Sequence, residues 1–477
     1  MRYVTDGLEP KTPLRIFEDI CMIPHGSGNE DGVAEYIMNF ASSRGLYNVR
    51  DEAGNVFVRK GNIDENTNSV LLQGHMDMVC EKNAGVEHDF TRDGLKLVLK
   101  DGYLSAEGTT LGADDGIAVA YMLSLLDENT RPLELLFTVE EETGLEGAKK
   151  FDCSCIRSKQ MINLDSEEEN ALTAGCAGGV RTDIMLPVER GEGRECVRVK
   201  IGGLFGGHSG ADINLGRTSA VSIAGILLAL INDRADILIH KIVCAGKDNA
   251  IARECEFYIC PAEKENDFYD CIKKIVNMAV AQIRKFLSED DKNLTVECEM
   301  LSDTVRPCDK QSTGKIIALL NLLRVGVLKM SNDIKGLVEY SRNLGIVETT
   351  DGEVKLSLSS RSALEFQIDM SVRELDLIAK LSGAEIKHYA RYPGWEYEPK
   401  SELREKYISS YKALYKKEPA VGVIHAGLEC GILSSKLCNM DIISVGPDIL
   451  DIHSPAERLD IASFGRVYEI LKQILKP

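Results

Sequence analysis

The sequence predicts an α/β fold, and two observations carry that prediction. Short apolar runs of strand length recur along the chain, at Val70–Leu72, Leu133–Val139 and Met161–Asp165, as expected of buried strands. Apolar segments with helical periodicity, such as the one that begins at Ile117, alternate with them. Because strands that alternate with helices build a sheet with helices on its faces, we expect an α/β domain.

The N-terminal segment predicts two helices before the first strand. A helix is expected around Leu14–Met22 and an amphipathic helix over Val33–Ser43, and the loop between them carries His25. We expect this loop histidine to be solvated. The segment Asp51–Lys60 then predicts a turn followed by a strand.

The stretch Ser69–Val79, which reads SVLLQGHMDMV, predicts a buried strand that runs into a functional site. His75 and Asp77 stand two residues apart, so an extended chain places both side chains on the same face. A neutral imidazole can bind a metal ion while a carboxylate orients it by accepting its second N–H. A core histidine paired with an aspartate is the alternative when the motif is taken alone.

Further acidic residues lie where strands end and where a helix begins. Asp114 and Asp115 precede the helical segment, and plain helix capping is the alternative to a functional role. Glu140–Glu142 follow an apolar strand, where crowded acids repel one another unless they share a cation or a proton; a solvated turn is the alternative. Asp165 ends the next strand. Because sites gather at the carboxyl ends of strands in open α/β sheets, these residues predict a metal site.

Length and composition restrict the domain organisation and the partners. A chain of 477 residues is too long for one core, and its changes of pattern predict a catalytic domain in residues 1–180 and 392–477 with an inserted domain, 181–391. The formal net charge of −19 argues against nucleic acid or an anionic membrane as a partner. There is no apolar run of transmembrane length and no signal-peptide core, and the chain has 14 cysteines, so we expect a cytoplasmic protein with reduced thiols.

Six motifs, in order along almost the whole chain, resemble those of one family: GHMDMV, TTLGADDGIAVA, TVEEETGLEGA, NLDSE, GGHSG and HSPAERL. This is the family of dinuclear-zinc exopeptidases and amidohydrolases, which includes aminoacylases, carboxypeptidase G, tripeptidase T and carnosinases. The stretches CAGG, NAIARE, SLSSRSA, YPGW and VIHAGLECG resemble its aminoacyl-histidine dipeptidase branch. The resemblance implies a mixed-sheet catalytic domain with two metal ions and an inserted α+β lid and dimerisation domain.

The resemblance also implies the metal ligands. One ion would be bound by His75 and Asp165, and the other by Glu142 and His453. Asp114 would bridge the two ions. Two divalent ions per chain are therefore expected, zinc first, with cobalt or manganese as alternatives.

The same motifs imply the catalytic roles. Asp77 would orient His75, and Glu141 would be the general base that takes a proton from the attacking water. Three glutamates stand in a row, Glu140–Glu142, and Gly144 decides which of them has which role. In the family, the general base is followed by the metal ligand, then by one further residue and then by a glycine. Glu142 is therefore the expected ligand. Two such ions share a water and lower its pKa.

Substrate contacts are implied as well. His208 of GGHSG would approach the active site across a dimer interface and help to hold the oxyanion. Asn249 and Arg361 would bind the C-terminal carboxylate of the substrate. Glu429 of AGLECG would face its α-ammonium group. Taken alone, His208 would be a loop histidine among glycines and Arg361 a surface cation on a strand.

The function that the resemblance implies is metal-dependent hydrolysis of dipeptides by a homodimer, above all of Xaa-His dipeptides such as β-alanyl-histidine (carnosine). A broad-specificity dipeptidase or an N-acyl amino acid deacylase of the same family is the alternative, and a binding protein without turnover is a third. The AGLECG motif favours the Xaa-His dipeptidase, because it resembles that branch of the family. The complete ligand set with Glu141 argues against a protein without turnover.

Overall fold

The computed structural model describes residues 3–64, 66–263, 267–332 and 334–477. The chain folds into two compact units. The first consists of Met1–Cys176, Trp395–Val423 and Leu428–Pro477, and the second of Ala177–Gly394 and Ile424–Gly427. The second unit is thus an insertion in the sequence of the first.

Helices and strands are numbered in chain order. The helices are α1 (Lys11–Cys21), α2 (Asp31–Ser42), α3 (Ala113–Leu125), α4 (Glu146–Lys150), α5 (Ala220–Asn232), α6 (Phe268–Ile283), α7 (Lys310–Leu322), α8 (Glu365–Ser382), α9 (Glu402–Tyr415), α10 (Glu429–Lys436) and α11 (Ile461–Ile474). The strands are β1 (Tyr47–Arg50), β2 (Val56–Lys60), β3 (Val70–His75), β4 (Leu97–Lys100), β5 (Tyr103–Ala106), β6 (Leu133–Thr138), β7 (Gln160–Asn163), β8 (Ala171–Cys176), β9 (Gly178–Pro187), β10 (Val197–Gly202), β11 (Gly207–His208), β12 (Ile237–Val243), β13 (Ala250–Ile251), β14 (Cys255–Pro261), β15 (Thr295–Met300), β16 (Gly326–Met330), β17 (Val338–Thr349), β18 (Glu353–Ser362), β19 (Glu385–Tyr392), β20 (Ala420–Ile424), β21 (Asp441–Ser444), β22 (Ile449–Leu450) and β23 (Arg458–Asp460).

The first unit is built on an eight-stranded mixed sheet with the order β1-β2-β6-β3-β7-β21-β8-β20. Its central strands β6, β3, β7 and β21 pair in parallel, while β1 with β2, β2 with β6, and β8 with β21 pair antiparallel. Every residue of β3 and β6 is buried, as is usual for parallel strands that are covered on both faces. A smaller sheet has the order β22-β23-β5-β4. The predicted mixed α/β architecture is confirmed.

Helix α3 lies in the core of this unit and packs against α1 and β3. All of its residues are buried, because its sequence is apolar on every side and leaves no polar face for solvent. It begins at Ala113, but the backbone of Asp114 and Asp115 is not helical, so regular helix starts after them. Helices α1 and α2 form where the N-terminal segment predicted them.

The second unit is an α+β structure with its own apolar core. It contains an antiparallel sheet β12-β14-β10-β15, an antiparallel sheet β16-β17-β18-β9-β19 and the short pair β11-β13. Helix α5 packs against α6, α7 and β14. The prediction of an inserted α+β unit is confirmed. Among the described residues, every helix is too short or too polar to span a membrane.

Candidate active site

The expected metal ligands come together at one edge of the first unit's sheet. Strands β6, β3 and β7 are adjacent and parallel, so the residues that follow them lie at the same edge. Helix α3 and the loop between β22 and β23 supply the remaining ligands. The residues are His75 at the end of β3, Asp114 in the first turn of α3, Glu142 after β6, Asp165 after β7 and His453 in the loop.

Asp114 lies between the two histidines and presents one carboxylate oxygen to each. Its Oδ1 is 3.1 Å from Nε2 of His75, and its Oδ2 is 3.1 Å from Nε2 of His453. Oδ1 of Asp165 lies 3.8 Å from the same His75 nitrogen, and Oε1 of Glu142 lies 2.9 Å from Nε2 of His453. The carboxylate of Asp114 is therefore common to two groups of donors, one around each imidazole.

Each of these groups has the spacing that a metal ion requires. Ligand atoms of His75, Asp114 and Asp165 lie within 4.8 Å of one another, and so do those of Asp114, Glu142 and His453. Imidazole nitrogens and carboxylate oxygens suit zinc and neighbouring divalent metals. Burial raises the pKa of Asp165 well above its usual value, and the charges of neighbouring acids add to the rise. A site with this excess of buried acid is stabilised by cations, so the residues fit two divalent ions.

The imidazoles of His75 and His453 are hydrogen-bonded to neighbouring carboxylates. Hydrogen bonds with Asp114 and Glu142 raise the pKa of His453 to about 10. Burial lowers the pKa of His75, but its hydrogen bonds with Asp114 and Asp77 outweigh burial and hold that pKa well above the usual value. Because a ligating imidazole must be neutral, binding of the ions is expected to release these protons.

Asp77 contacts His75 as expected and also binds the backbone of the acidic turn. Its Oδ1 is 3.3 Å from Nδ1 of His75 and accepts the N–H of Glu141 at 3.0 Å. Its Oδ2 accepts the N–H of Glu142 at 3.2 Å and the hydroxyl of Ser27 at 2.8 Å. Burial acts to raise the pKa of Asp77, but these hydrogen bonds together lower it to about 2. One carboxylate thus orients an imidazole and fixes the turn that carries Glu141 and Glu142.

Glu141 lies beside the metal-binding groups. Strand β6 ends at Thr138, and Glu140 has a left-handed backbone with φ 52°, so Glu141 and Glu142 lie beyond the strand, as expected. Donor atoms of His75, Glu141 and Glu142 all lie within 4.8 Å of one another. Burial raises the pKa of Glu141 to about 8; the charge of His75 opposes this rise and neighbouring acids add to it.

Glu429 is a buried acid in the same unit, at the start of α10. Its Oε2 accepts hydrogen bonds from Nε2 of Gln73 and, at 2.6 Å, from the hydroxyl of Thr138. Its Oε1 is buried and has no hydrogen-bond partner among the described residues. Burial raises the pKa of Glu429 to about 7.

Two of the three expected substrate contacts of the second unit, His208 and Asn249, lie on adjacent segments. Strands β11 and β13 pair His208 with Ala250, and the N–H of Ser209 donates to the carbonyl of Asn249 at 2.8 Å. Burial lowers the pKa of His208, and the charge of Arg361 lowers it further. The charge of Arg361 is therefore near enough to affect the His208 imidazole.

The tautomer of His208 is fixed by two backbone donors. Its Nδ1 accepts the N–H of Gly210 at 3.2 Å and that of Ala211 at 3.1 Å. Since both N–H groups donate to Nδ1, that nitrogen carries no proton, and the proton of the ring lies on Nε2. Nε2–H is then a donor that can bind an anion or an oxyanion.

Comparison with known proteins shows the family to which the chain belongs. Residues 71–476 match the model of Peptidase family M20/M25/M40. The chain belongs to this family. It is a hydrolase of the metallopeptidase class, as the motifs predicted.

Two relatives resemble the chain over nearly its whole length. The cytosol non-specific dipeptidase of Escherichia coli (strain K12) is 36% identical over 477 residues, 98% of each protein. The crystal structure of aminoacylhistidine dipeptidase from Vibrio alginolyticus has a TM-score of 0.93 and 31% identity, and the match covers 100% of this chain and 98% of that one. Aminopeptidase PepT from Bacillus cereus ATCC 10987, at a TM-score of 0.59 and 14% identity over 98% of each chain, shares the fold.

The expectation that the side chain of His25 is exposed to solvent is wrong. The residue is 2% exposed, and its Nδ1 is 2.6 Å from the carbonyl oxygen of Ile23. Its own carbonyl accepts the N–H of Met78, and a Cβ at Gly112 would come within 3.2 Å of its Nε2. The loop packs against the chain just beyond β3, a contact that local sequence does not reveal.

The two aspartates at the start of α3 do more than cap the helix. The N-cap of α3 is Gly112, and no side chain of the N-cap closes the helix. Asp115 instead accepts the N–H of His75 at 3.2 Å through Oδ2. Asp115 also accepts a backbone hydrogen bond from Ala118, three residues further on, and so helps to cap the regular helix. The carboxylate of Asp114 faces the two histidines instead.

His425 is a further residue that the sequence analysis did not single out, although its motif was noted. It lies in the second unit, largely buried, with Nε2 2.7 Å from the hydroxyl of Ser341. Burial, helped by the charge of Arg361, lowers the pKa of His425 to about 4. It is thus a neutral imidazole beside the guanidinium.

Proposed function

We propose that this chain is a dipeptidase that works with two divalent ions, zinc first, and prefers Xaa-His dipeptides such as β-alanyl-histidine. The observation that carries the proposal is the placement of Asp114, whose two oxygens each face one of two histidines, with Glu141 beside them. Both full-length relatives are named as dipeptidases, and the one of known structure is named for aminoacylhistidine substrates. These names support a dipeptide as substrate.

The proposed ligands are those assembled at the sheet edge. His75 and Asp165 would hold one ion, Glu142 and His453 the other, and Asp114 both. When bound, two such ions lower the pKa of a shared water and polarise the scissile carbonyl.

Glu141 is the proposed general base. It would take a proton from the attacking water and deliver it to the leaving amine. Its position suits this role, because its carboxylate lies within 4.8 Å of donor atoms of His75 and Glu142. Asp77, by binding the N–H of Glu141, keeps this carboxylate in place relative to His75.

The ends of the substrate would be recognised by charged and polar groups. In the second unit, Arg361 and Asn249 are proposed to bind the C-terminal carboxylate, and Nε2–H of His208 the oxyanion. Glu429, whose Oε1 has no partner among the described residues, is the proposed contact of the α-ammonium group. From the family resemblance we further propose a homodimer in which His208 serves the active site of the neighbouring subunit.

A broad-specificity dipeptidase is the second candidate. It is favoured by the name of the Escherichia coli relative, a non-specific dipeptidase that is 36% identical to this chain. An N-acyl amino acid deacylase would act on substrates without an α-ammonium group, for which a buried Glu429 carboxylate would have no counter-charge. The two dipeptidase candidates differ in the preferred C-terminal residue and share the rest of the mechanism.

Substrates with blocked ends are expected to be poor. We expect C-terminal amidation or N-terminal acetylation of alanyl-histidine to lower kcat/KM by about tenfold or more, because a charged group of the site loses its partner. The measurement is hydrolysis of alanyl-histidine, β-alanyl-histidine, alanyl-leucine and both blocked peptides at one metal concentration. The Arg361→Gln variant is the matched control, since it should no longer distinguish acid from amide.

Three outcomes separate the candidates. Faster turnover of the histidine dipeptides than of alanyl-leucine supports the Xaa-His preference. Similar rates for all free dipeptides support the broad-specificity alternative. Equal rates on free and blocked peptides would contradict recognition of the two charged ends.

A further inference from the structure

Glu457, a buried carboxylate of the HSPAERL segment, binds the turn that leads into α3. The residue is 2% exposed. Its Oε2 accepts the N–H groups of Leu111 at 2.7 Å and Gly112 at 3.1 Å. Its Oε1 accepts those of Ala113 at 2.8 Å and Asp114 at 3.4 Å. One side chain thus binds four successive N–H groups.

Two of these N–H groups, those of Ala113 and Asp114, are the first of α3, and the other two precede the helix. The first N–H groups of a helix have no partner within the helix, and an aspartate at such a position often caps them. In α3 the N-cap Gly112 has a left-handed backbone with φ 67° and carries no side chain that could serve. Glu457 accepts the hydrogen bonds of Ala113 and Asp114, and Asp115 accepts that of Ala118. The carboxylate of Asp114 is not used for capping and faces His75 and His453.

Glu457 also connects the two segments that carry these ligands. It stands four residues after His453 in the same loop, while the turn that it binds ends in Asp114, more than 300 residues away in the sequence. Both of its oxygens are used, so the turn is held at two points. Movement of the His453 loop and movement of Asp114 are therefore linked through one side chain.

We propose that Glu457 is a positioning residue of the metal centre, which fixes Asp114 so that each of its oxygens faces one histidine. This inference rests on the proposed function, because it takes Asp114 and His453 as metal ligands. Glu457 is not expected to touch an ion or the substrate. Its effect is expected on metal affinity, since residues that orient ligands typically change affinity by about 10–100-fold when replaced.

The test measures zinc affinity of metal-stripped protein by competition with a chromophoric chelator. Glu457→Gln keeps the size of the side chain, but its amide nitrogen cannot accept the two N–H groups that face it. We expect its zinc affinity to fall by about tenfold or more. At saturating zinc, kcat and KM should return to within a few fold of the wild-type values.

Glu457→Asp is the second variant, because it keeps the charge and shortens the reach by one methylene. If Glu457→Gln does not fold, the zinc affinity of Glu457→Asp is measured in its place. Glu134→Gln is the matched control: Glu134 is fully buried and accepts the N–H groups of Arg157 and Ser158. It lies at the start of β6, whereas Glu141 lies beyond the end of that strand. We expect the control to lose thermal stability and to keep its zinc affinity.

The outcomes distinguish this inference from the proposed function. Wild-type protein that binds two zinc ions, together with a folded Glu457 variant of unchanged affinity, would overturn the positioning role and leave the proposed function intact. An equal loss of affinity in Glu134→Gln would also overturn it, since the effect would then be general destabilisation. If the wild-type protein bound no zinc, both the positioning role of Glu457 and the proposed metal-dependent function would be wrong.

Discussion

Replacement of Glu141 by Gln is expected to lower kcat by a factor on the order of 10²–10⁴, the usual contribution of one acid–base group. The amide cannot accept the proton of the attacking water, whereas the proposed metal ligands are unchanged. Metal content should therefore stay at the wild-type value. The measurement is kcat on a dipeptide together with elemental analysis of the same purified sample.

Glu142→Gln is the matched control, because it makes the same chemical change one residue further along the turn. Glu142 contacts His453 at 2.9 Å, so this variant should lose metal. Both residues donate a backbone N–H to Asp77, and neither substitution removes that hydrogen bond. If Glu141→Gln lost metal and Glu142→Gln kept it, the assignment of base and ligand would be reversed.

His208→Ala is expected to lower kcat by a factor on the order of 10²–10³, the cost of removing one oxyanion donor. The two backbone donors on Nδ1 leave Nε2–H as the group that is lost. Metal content should not change, since His208 lies in the second unit and the expected ligands lie in the first. Kinetics and elemental analysis of the variant check both parts.

Complementation tests whether His208 acts across a dimer. His208→Ala and Glu141→Ala are mixed under conditions that let subunits exchange, with exchange verified by mass-labelled chains. If His208 serves the neighbouring subunit, one site of each heterodimer contains both residues and activity returns in part. An exchanged mixture that stays inactive would show that His208 acts within its own chain.

The residues whose roles depend on local spacing could be predicted from the sequence. His75 and Asp77 lie two residues apart at the end of an apolar strand, and the structure places their side chains 3.3 Å apart. Glu142 and Asp165 follow β6 and β7, the two strands that flank β3, so the shared edge of the sheet brings them to the same site. The α/β class and the insertion of a second domain followed from the local patterns, whereas the mixed sheet and the α+β character of the inserted unit were implied by the family resemblance.

Contacts between distant segments could not be predicted in the same way. Glu457 binds N–H groups that lie more than 300 residues before it, and a glutamate in a polar loop gives no local sign of such a partner. His25 was expected in solvent because its own loop is polar, but the chain beyond β3 covers it. The second function of Asp77, as acceptor for the backbone of Glu141, likewise depends on tertiary packing.

The central claim is that this chain hydrolyses dipeptides with two divalent ions held around Asp114. The most direct measurement is a titration of chelator-stripped protein with zinc, in which bound metal and dipeptide hydrolysis are followed together. We expect turnover to be absent without metal and to return as two ions bind per chain, and we expect Asp114→Asn to fail to bind the pair. Undiminished hydrolysis by protein shown to be metal-free would contradict it.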